Sequence, residues 1–190
     1  MRQVQFYIEG STPLVMNRVV DEPRVTLEHP AVKPTDEEIF ESHKYYGETD
    51  GERWEGFPSV SVRRVLMSAS REYRLSTMAT IKQAVLFVAD GYEIREPRIP
   101  LTRIDGTSEI QNLSVRNLRG LIKVILPIYK HWSATINLKF DPDMISDVDL
   151  KKLLVVGGEC AGLGEGRPDS SRCGLGWGTF KVVNSVTETP

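Results

Sequence analysis

GGECAGLGEGRPDSSRCGLGWGTF is a glycine-rich stretch that runs from Gly157 to Phe180. It holds eight of the chain's fifteen glycines. Glycine at this density costs backbone entropy, so it indicates a backbone that needs positive φ angles or a close approach to another group. Arg167, Arg172 and Trp177 lie among these glycines. Basic and aromatic residues in such a loop favour an anionic partner with flat groups, such as a nucleic acid. A tightly turned glycine-rich hairpin is the alternative.

The surroundings of this stretch exclude a dinucleotide site. A helix is predicted before it, over about Val148 to Ala161, and a strand is predicted after it, whereas a dinucleotide-binding loop follows a strand and opens a helix. The sequence has no GxxxxGK[ST], GxSxG or HExxH motif, and its two cysteines, Cys160 and Cys173, do not form a CxxC pair. We therefore expect no cofactor and no metal site.

The remaining sequence predicts an α+β protein. Alternating apolar residues indicate half-buried strands at Arg2 to Glu9 and Trp132 to Phe140, and apolar spacing of three to four predicts a helix over about Val60 to Tyr73. The Asp90-Gly91 pair predicts a hairpin that joins strands Ala84 to Ala89 and Tyr92 to Arg95. The order is βαββαβ, which predicts a ferredoxin-like (RRM-like) core with an antiparallel sheet and both helices on one face.

Two insertions are expected within this single domain of 190 residues. The first, about 17–57, is acidic: between Asp21 and Glu55 there are eleven acidic and four basic residues. It contains a predicted helix from the Thr35–Glu38 capping box to about Tyr46, followed by a turn-like segment, Gly47 to Gly56. The second, about 97–131, is basic, with an irregular first part, Pro97 to Ser108. Five basic residues and no acidic residue lie between Gln111 and Phe140.

These patterns predict a nucleic-acid-binding site and no catalytic site. Exposed arginines and lysines neutralise phosphates by releasing counterions, glycine amides can cradle phosphate oxygens, and a tryptophan can stack on a base or support the loop. A solvated sheet face and a core tryptophan are the alternatives. The predicted binding residues are Arg116, Arg119, Lys123, Arg167, Arg172, Trp177, Gly164 and Gly166.

The C-terminal pattern GECAGLGEGRPDSSRCGLGWGTFKV resembles the glycine-rich loop of the RAMP superfamily, the ferredoxin-like RNA-binding subunits of CRISPR effector complexes. Over nearly its full length the chain also resembles a family of small bacteriophage and prophage proteins. The motifs that carry this second resemblance are TPLVMNR (Thr12 to Arg18), KPTDEE (Lys33 to Glu38), the VRN...LPIYKHWSATINLKFD run (Val115 to Asp141) and GLGEGRP...GLGWGTF in the glycine-rich stretch. The resemblance implies a protein that binds single-stranded RNA or DNA and assembles side by side along the strand.

Two alternative functions are kept. One is a metal-independent endoribonuclease of RAMP type that uses His29 or His131 as a general base. The other is a phage interaction protein whose acidic segment mimics nucleic acid and blocks a host nucleoprotein complex. The N-terminus has no continuous apolar core and no apolar run approaches the length of a membrane span, so we expect a protein of the bacterial host cytoplasm without a membrane partner.

Overall fold

The computed structural model describes residues 1–18, 34–117, 120–170 and 174–188, with side chains described except at 113–123 and 188. Within these ranges the chain forms ten strands and four helices. In chain order they are β1 (Arg2–Gly10), β2 (Leu14–Val15), α1 (Asp36–Ser42), β3 (Tyr45–Thr49), β4 (Glu52–Pro58), α2 (Val60–Tyr73), α3 (Met78–Ala84), β5 (Val85–Val88), β6 (Gly91–Tyr92), β7 (Pro100–Arg103), β8 (Asp105–Asn117), β9 (Gly120–Phe140), α4 (Asp147–Cys160) and β10 (Phe180–Glu188).

The main sheet is organised around β9, which is 21 residues long. Strand β1 pairs with residues 133–140 of β9, β5 pairs with residues 137–140 on the other side of β9, and β10 pairs with the other edge of β1, so the order is β10–β1–β9–β5 with every neighbour antiparallel. In the sequence α2 lies between β1 and β5, and α4 lies between β9 and β10. Antiparallel sheets combined with packed helices agree with the expected α+β class.

The core lies between this sheet and α2 and α4. On β1 the buried residues alternate, as the two-residue period of a half-buried strand requires. On α2 the buried positions recur every three to four residues, and the helix begins and ends where its periodicity predicts. Buried side chains from these elements that share one cluster include Val4, Phe6, Ile8, Val62, Val65, Leu66, Ala69, Ile136, Leu138, Leu150, Leu153 and Leu154. None of the helices in the described ranges is long and apolar enough to cross a membrane.

A second sheet of four strands, in the order β3–β4–β7–β6, corrects two predictions. The segment Gly47 to Gly56, expected to be turn-like, is most of the β3–β4 hairpin, whose turn places Asp50 at φ 53° and Gly51 at φ 80°. Positive φ at both central residues is what a tight two-residue hairpin requires. Pro97 to Ser108, expected to be irregular, contains β7, which pairs with β4.

The prediction of a hairpin at Asp90-Gly91 is wrong. β5 pairs with β9, from Val85 opposite Phe140 to Val88 opposite Asn137, whereas β6 pairs with β7 in the second sheet. Burial of Val85 in the main core selects the partner, and a turn dipeptide cannot encode that choice.

Two helix predictions also need correction. Helix α3 forms in a segment for which no helix was predicted, and the Thr77 hydroxyl caps it by accepting from the Thr80 amide. Helix α1 ends at Ser42 instead of Tyr46, because Tyr45 and Tyr46 pair with β4.

A long two-stranded arm extends from the main sheet. It consists of β8 and the first half of β9, paired from Asp105 opposite Ser133 to Asn117 opposite Gly120. Thirteen residues in β8, at about 3.4 Å each, give an arm roughly 40 Å long. The name "arm" is used below for residues 105–133.

Candidate nucleic-acid interface

The glycine-rich loop, residues 161–179, is packed against the segment that follows β1. The Leu163 amide donates to the Gly178 carbonyl at 2.9 Å, the Glu165 amide to the Val15 carbonyl at 2.8 Å, and the Gly178 amide to the Pro13 carbonyl at 2.8 Å. These amides are therefore used within the protein. The expectation that bare amides of this loop cradle phosphate oxygens does not apply to them.

Two glycines show why the loop needs this residue type. Gly164 has φ +73°, and a Cβ there would lie 2.3 Å from the Val15 carbonyl oxygen. Gly178 has φ +68°, and its Cβ would lie 1.9 Å from the Leu163 carbonyl oxygen. Close internal packing explains both glycines. This agrees with the alternative interpretation of the stretch as a tightly turned glycine-rich hairpin. A binding role for Gly164 stays a prediction.

Trp177 connects the glycine-rich loop to the base of the arm. Its half-buried side chain packs on a small apolar cluster formed by Val15, Leu126 and Ile128. Gly166 lies against the indole: a Cβ at this position would be 2.7 Å from Trp177 Cε3, and the Gly166 carbonyl accepts from the Trp177 amide at 3.2 Å. Trp177 and Gly166 are thus brought together, and the indole supports the loop on the arm.

Arg167 holds the other side of the loop. Its Nε donates to Asp169 Oδ1 at 2.9 Å, and Nη1 donates to the Gly164 carbonyl at 2.8 Å. Asp169 also accepts from Ser68 Oγ at 3.2 Å, and Arg64 Nη2 lies 3.6 Å from its Oδ1. The loop is therefore attached to α2 as well as to the arm.

The α2 arginines were not among the predicted site residues. Arg63, Arg64 and Arg71 line a groove of about 540 Å³ together with two acids, Glu72 and Asp169. Arg64, Ser68 and Arg71 are spaced by four and three residues, so they share one helix face. That spacing is visible in the sequence, but the long-range contact with the glycine-rich loop is not.

The outer arm carries the other basic residues. The backbone register places Arg116 opposite Leu121 and Lys123 opposite Ser114, within a few residues of the arm's end. Arg119 and Arg172 lie outside the described residues, as does His29. The predicted set therefore divides into the arm positions and the loop positions, with Trp177 at their junction.

A different groove, of about 530 Å³, lies on the other side of the molecule. It is lined by Tyr7, Glu9, Asp105, His131 and Val183, among others. His131 is exposed here. This groove contains two carboxylates, Glu9 and Asp105, and none of its described lining residues is an arginine or a lysine, so it suits a phosphate chain less well than the α2 groove does.

Buried polar side chains anchor the base of the arm to the second sheet. The Tyr129 hydroxyl donates to Glu55 at 2.6 Å, and Lys44 Nζ donates to Glu55 at 3.1 Å and to Glu41 at 2.8 Å. The Tyr46 hydroxyl donates to Glu41. Burial, assisted by the Glu41 hydrogen bond, raises the pKa of Tyr46 to about 12. Burial and the charge of Glu55 also raise the pKa of Tyr129 above its ordinary value.

Comparison with known proteins identifies the fold. No family model matches the sequence, and no curated protein matches it. A solved structure does. It is a chain in the cryo-EM structure of the Type III-B Cmr-beta bound to cognate target RNA, with a TM-score of 0.52, 12% sequence identity and coverage of 98% of this chain. The protein spans 60% of that chain's length. At this identity the similarity concerns the fold alone, and it is consistent with a RAMP-like α+β fold.

Proposed function

We propose that this protein binds single-stranded nucleic acid, RNA in the first place and single-stranded DNA in the second, and does not cleave it. The observation that carries the proposal is the position of the glycine-rich loop. Through Trp177 the loop contacts the arm, and through Asp169 it contacts Arg64 and Ser68 of α2. The loop thus links two basic surfaces into one path for a strand.

The charges along this path suit a phosphate chain. Among the described residues, three arginines of α2 line the α2 groove together with two carboxylates, Glu72 and Asp169, and Arg167 pairs with Asp169 at its edge. In the arm and the rest of β9, no acidic residue occurs from 111 to 140. Binding through such residues releases counterions and falls steeply with salt. Local basic surfaces therefore outweigh the net charge of -2.

The strand order supports a finer assignment of the fold. The order β10–β1–β9–β5, with α2 and α4 as the two connections, is the order of a βαββαβ ferredoxin-like core, and we propose this topology. The neighbouring fold comes from a structure bound to cognate target RNA. That context supports RNA as the first ligand to test.

Three further parts of the proposal follow from the sequence motifs. The resemblance to phage and prophage proteins supports a phage origin and the cytoplasm of a bacterial host as the location. The resemblance to CRISPR backbone subunits supports assembly of several copies along one strand. Light scattering of the protein with oligonucleotides of increasing length tests assembly, since the bound mass should rise stepwise with strand length.

An endoribonuclease is the second candidate function, because exposed His131 lines a groove of about 530 Å³ that Tyr7 also lines. A general base needs such access to its substrate. Incubation of labelled RNA in EDTA with the wild type and with His131→Ala tests this candidate. Cleavage that disappears in the variant would replace the non-catalytic proposal. The nucleic-acid mimic is favoured instead if no oligonucleotide binds and a host protein co-purifies.

The direct test measures binding of labelled single-stranded RNA by fluorescence anisotropy across salt concentrations. The double variant R116Q/K123Q should bind more weakly, and its slope of log K against log salt should be shallower by about 1.4, because each phosphate contact on a single strand adds about 0.7. The matched control is K152Q/K181Q, which removes two exposed lysines, each paired only with one surface acid.

The control should keep nearly the wild-type slope. Equal loss in the arm variant and in the control would show that binding follows net charge and not the proposed path. Circular dichroism of both variants verifies that the fold is retained.

A further inference from the structure

Three hydrogen-bond donors converge on one carboxylate at the edge of the α2 groove. Arg167 Nε is 2.9 Å and Arg64 Nη2 is 3.6 Å from Asp169 Oδ1, and Ser68 Oγ is 3.2 Å from Asp169 Oδ2. These donors come from two elements that are about a hundred residues apart in the sequence. Together they form an anion cradle, a name used here for the side chains of Arg64, Ser68 and Arg167.

The cradle has the chemistry of a phosphate site. Two guanidinium groups and a hydroxyl can donate to separate oxygens of one anion, which is how arginine recognises phosphate. A carboxylate is the closest internal equivalent of a phosphate because it also accepts several donors with a negative charge. Asp169 therefore satisfies donors that would otherwise face the groove.

The Asp169 carboxylate, which occupies the cradle in this structure, is not held tightly. The Asp169 side chain is 22% exposed and the Arg64 side chain 54% exposed, so their ion pair is screened by water. Arg167 is 18% exposed, and its bond to the Gly164 carbonyl keeps the guanidinium in place without Asp169. An anion in the groove of about 540 Å³ meets Arg64 and Ser68, which line it, and displacement of Asp169 exposes Arg167 to the anion.

We propose that the anion cradle is a phosphate-binding site for the nucleic-acid backbone, and that Asp169 occupies it as an internal competitor when no strand is bound. The proposal rests on the proposed function for the identity of the ligand. Binding of a phosphate displaces the Asp169 carboxylate from Arg64 and Ser68. Asp169 consequently lowers the affinity of the α2 groove and makes occupancy depend on a strand that also engages the arm.

The alternative is that Asp169 only anchors the loop to α2. The two roles predict opposite effects of Asp169→Asn. As a competitor, its removal frees two arginines and increases binding; as an anchor, its removal loosens the loop and decreases binding. The matched control is Glu9→Gln, because Glu9 is an exposed acid paired with one surface lysine, Lys181, at 3.2 Å.

The experiment measures anisotropy of a labelled 15-nucleotide oligouridylate with wild type, D169N, E9Q and D169N/R64Q across salt concentrations. D169N should bind about five- to tenfold more tightly, the gain of roughly one charge-assisted hydrogen bond. Its salt slope should be steeper by about 0.7. Adding R64Q should remove the gain, while E9Q should stay near wild type. An equal gain in E9Q, or weaker binding by D169N with a lower melting temperature, would overturn the proposal.

A second readout separates this proposal from the proposed function. Inorganic phosphate is titrated into D169N, and the Arg Nε–H resonances of Arg64 and Arg167 are followed by NMR. Shifts at both resonances support the cradle even if no oligonucleotide binds, in which case only the proposed function fails. Unchanged resonances together with tight oligonucleotide binding would reject the cradle and leave the proposed function standing.

Discussion

The glycine-rich loop and the base of the arm meet at Trp177, but they are held in place by different means. Backbone hydrogen bonds and glycine contacts hold the loop, as in the pairs Leu163–Gly178 and Glu165–Val15. Ionisable side chains hold the arm, through Tyr129, Glu55 and Lys44. The backbone contacts of the loop therefore do not depend on protonation, whereas the side-chain anchor of the arm does.

The glycines of the loop and the arginines at its margins have different roles. Glycines in the loop serve packing, because Gly164 and Gly178 leave no room for a Cβ. Chemistry that can reach a ligand lies at the margins of the loop, in Arg167 and in the arginines of α2. Glycine density thus drew attention to this loop in the sequence, although the internal contacts give a different reason for the glycines.

The largest expected effect concerns packing in the loop. Gly178→Ala should destabilise the protein by about 3 kcal/mol or more, because its Cβ would lie 1.9 Å from a carbonyl oxygen at a φ of +68°. Gly176→Ala is the matched control, since φ is +73° there but nothing lies within 4 Å. It should cost only about 1 kcal/mol.

Urea denaturation of both glycine variants measures this difference. Similar losses at the two positions would mean that backbone conformation alone explains the glycines. The close contact between Leu163 and Gly178 would then not define the loop.

The next effect concerns the anchor of the arm at alkaline pH. The folded state raises the pKa of Tyr46 to about 12 from the ordinary value of 10.0, mainly through burial. A raised pKa means that the neutral phenol is favoured in the folded protein, so the stabilisation is complete below pH 10 and is lost as the pH rises toward 12. Lys44 acts in the same direction: burial opposes its charge, but bonds to Glu41 and Glu55 raise its pKa overall.

Urea denaturation from pH 8 to pH 11.5 tests this expectation. Tyr46→Phe should be less stable than wild type at pH 8 by about 1 kcal/mol, the usual loss of one hydrogen bond. The difference in the free energy of unfolding between wild type and Tyr46→Phe should narrow as the pH rises above 10. A constant gap across this range would show that Tyr46 does not titrate as the structure requires.

The fold was partly predictable because its longest elements carry complete patterns. Helix α2 has buried residues at regular spacing over fourteen residues, and α4 has a serine cap, so the bounds of both could be estimated from the sequence. Short elements lack such patterns. Helix α3 has seven residues and β7 has four, and both were missed.

The second limit of prediction from the sequence was the choice of which strands pair with each other. Asp-Gly pairs occur at Asp50-Gly51, Asp90-Gly91 and Asp105-Gly106, but only the first makes a tight hairpin. The second connects two sheets, because Val85 is buried beside β9. A dipeptide describes a possible turn, whereas the core decides which strands pair.

The candidate site shows the same division. Arg167 and Asp169 are two residues apart, so their ion pair is a local contact that the sequence could suggest. Arg64 and Ser68 join them only through folding, over about a hundred positions. The sequence therefore indicates the contact between Arg167 and Asp169, whereas the contacts of Arg64 and Ser68 with Asp169 depend on the fold.

Intrinsic tryptophan fluorescence is the most direct test that a strand binds along the glycine-rich loop and the arm, because the three tryptophans report on three different surfaces. Trp177 lies at the junction of the loop and the arm, Trp132 lines the groove that contains His131, and Trp54 lies beside the second sheet. A strand on the proposed path should quench Trp177 by stacking on or near the indole. We predict a modest quench when single-stranded RNA is added to wild type and its loss in Trp177→Phe. A quench that persists in Trp177→Phe would place the strand on another surface and contradict the account.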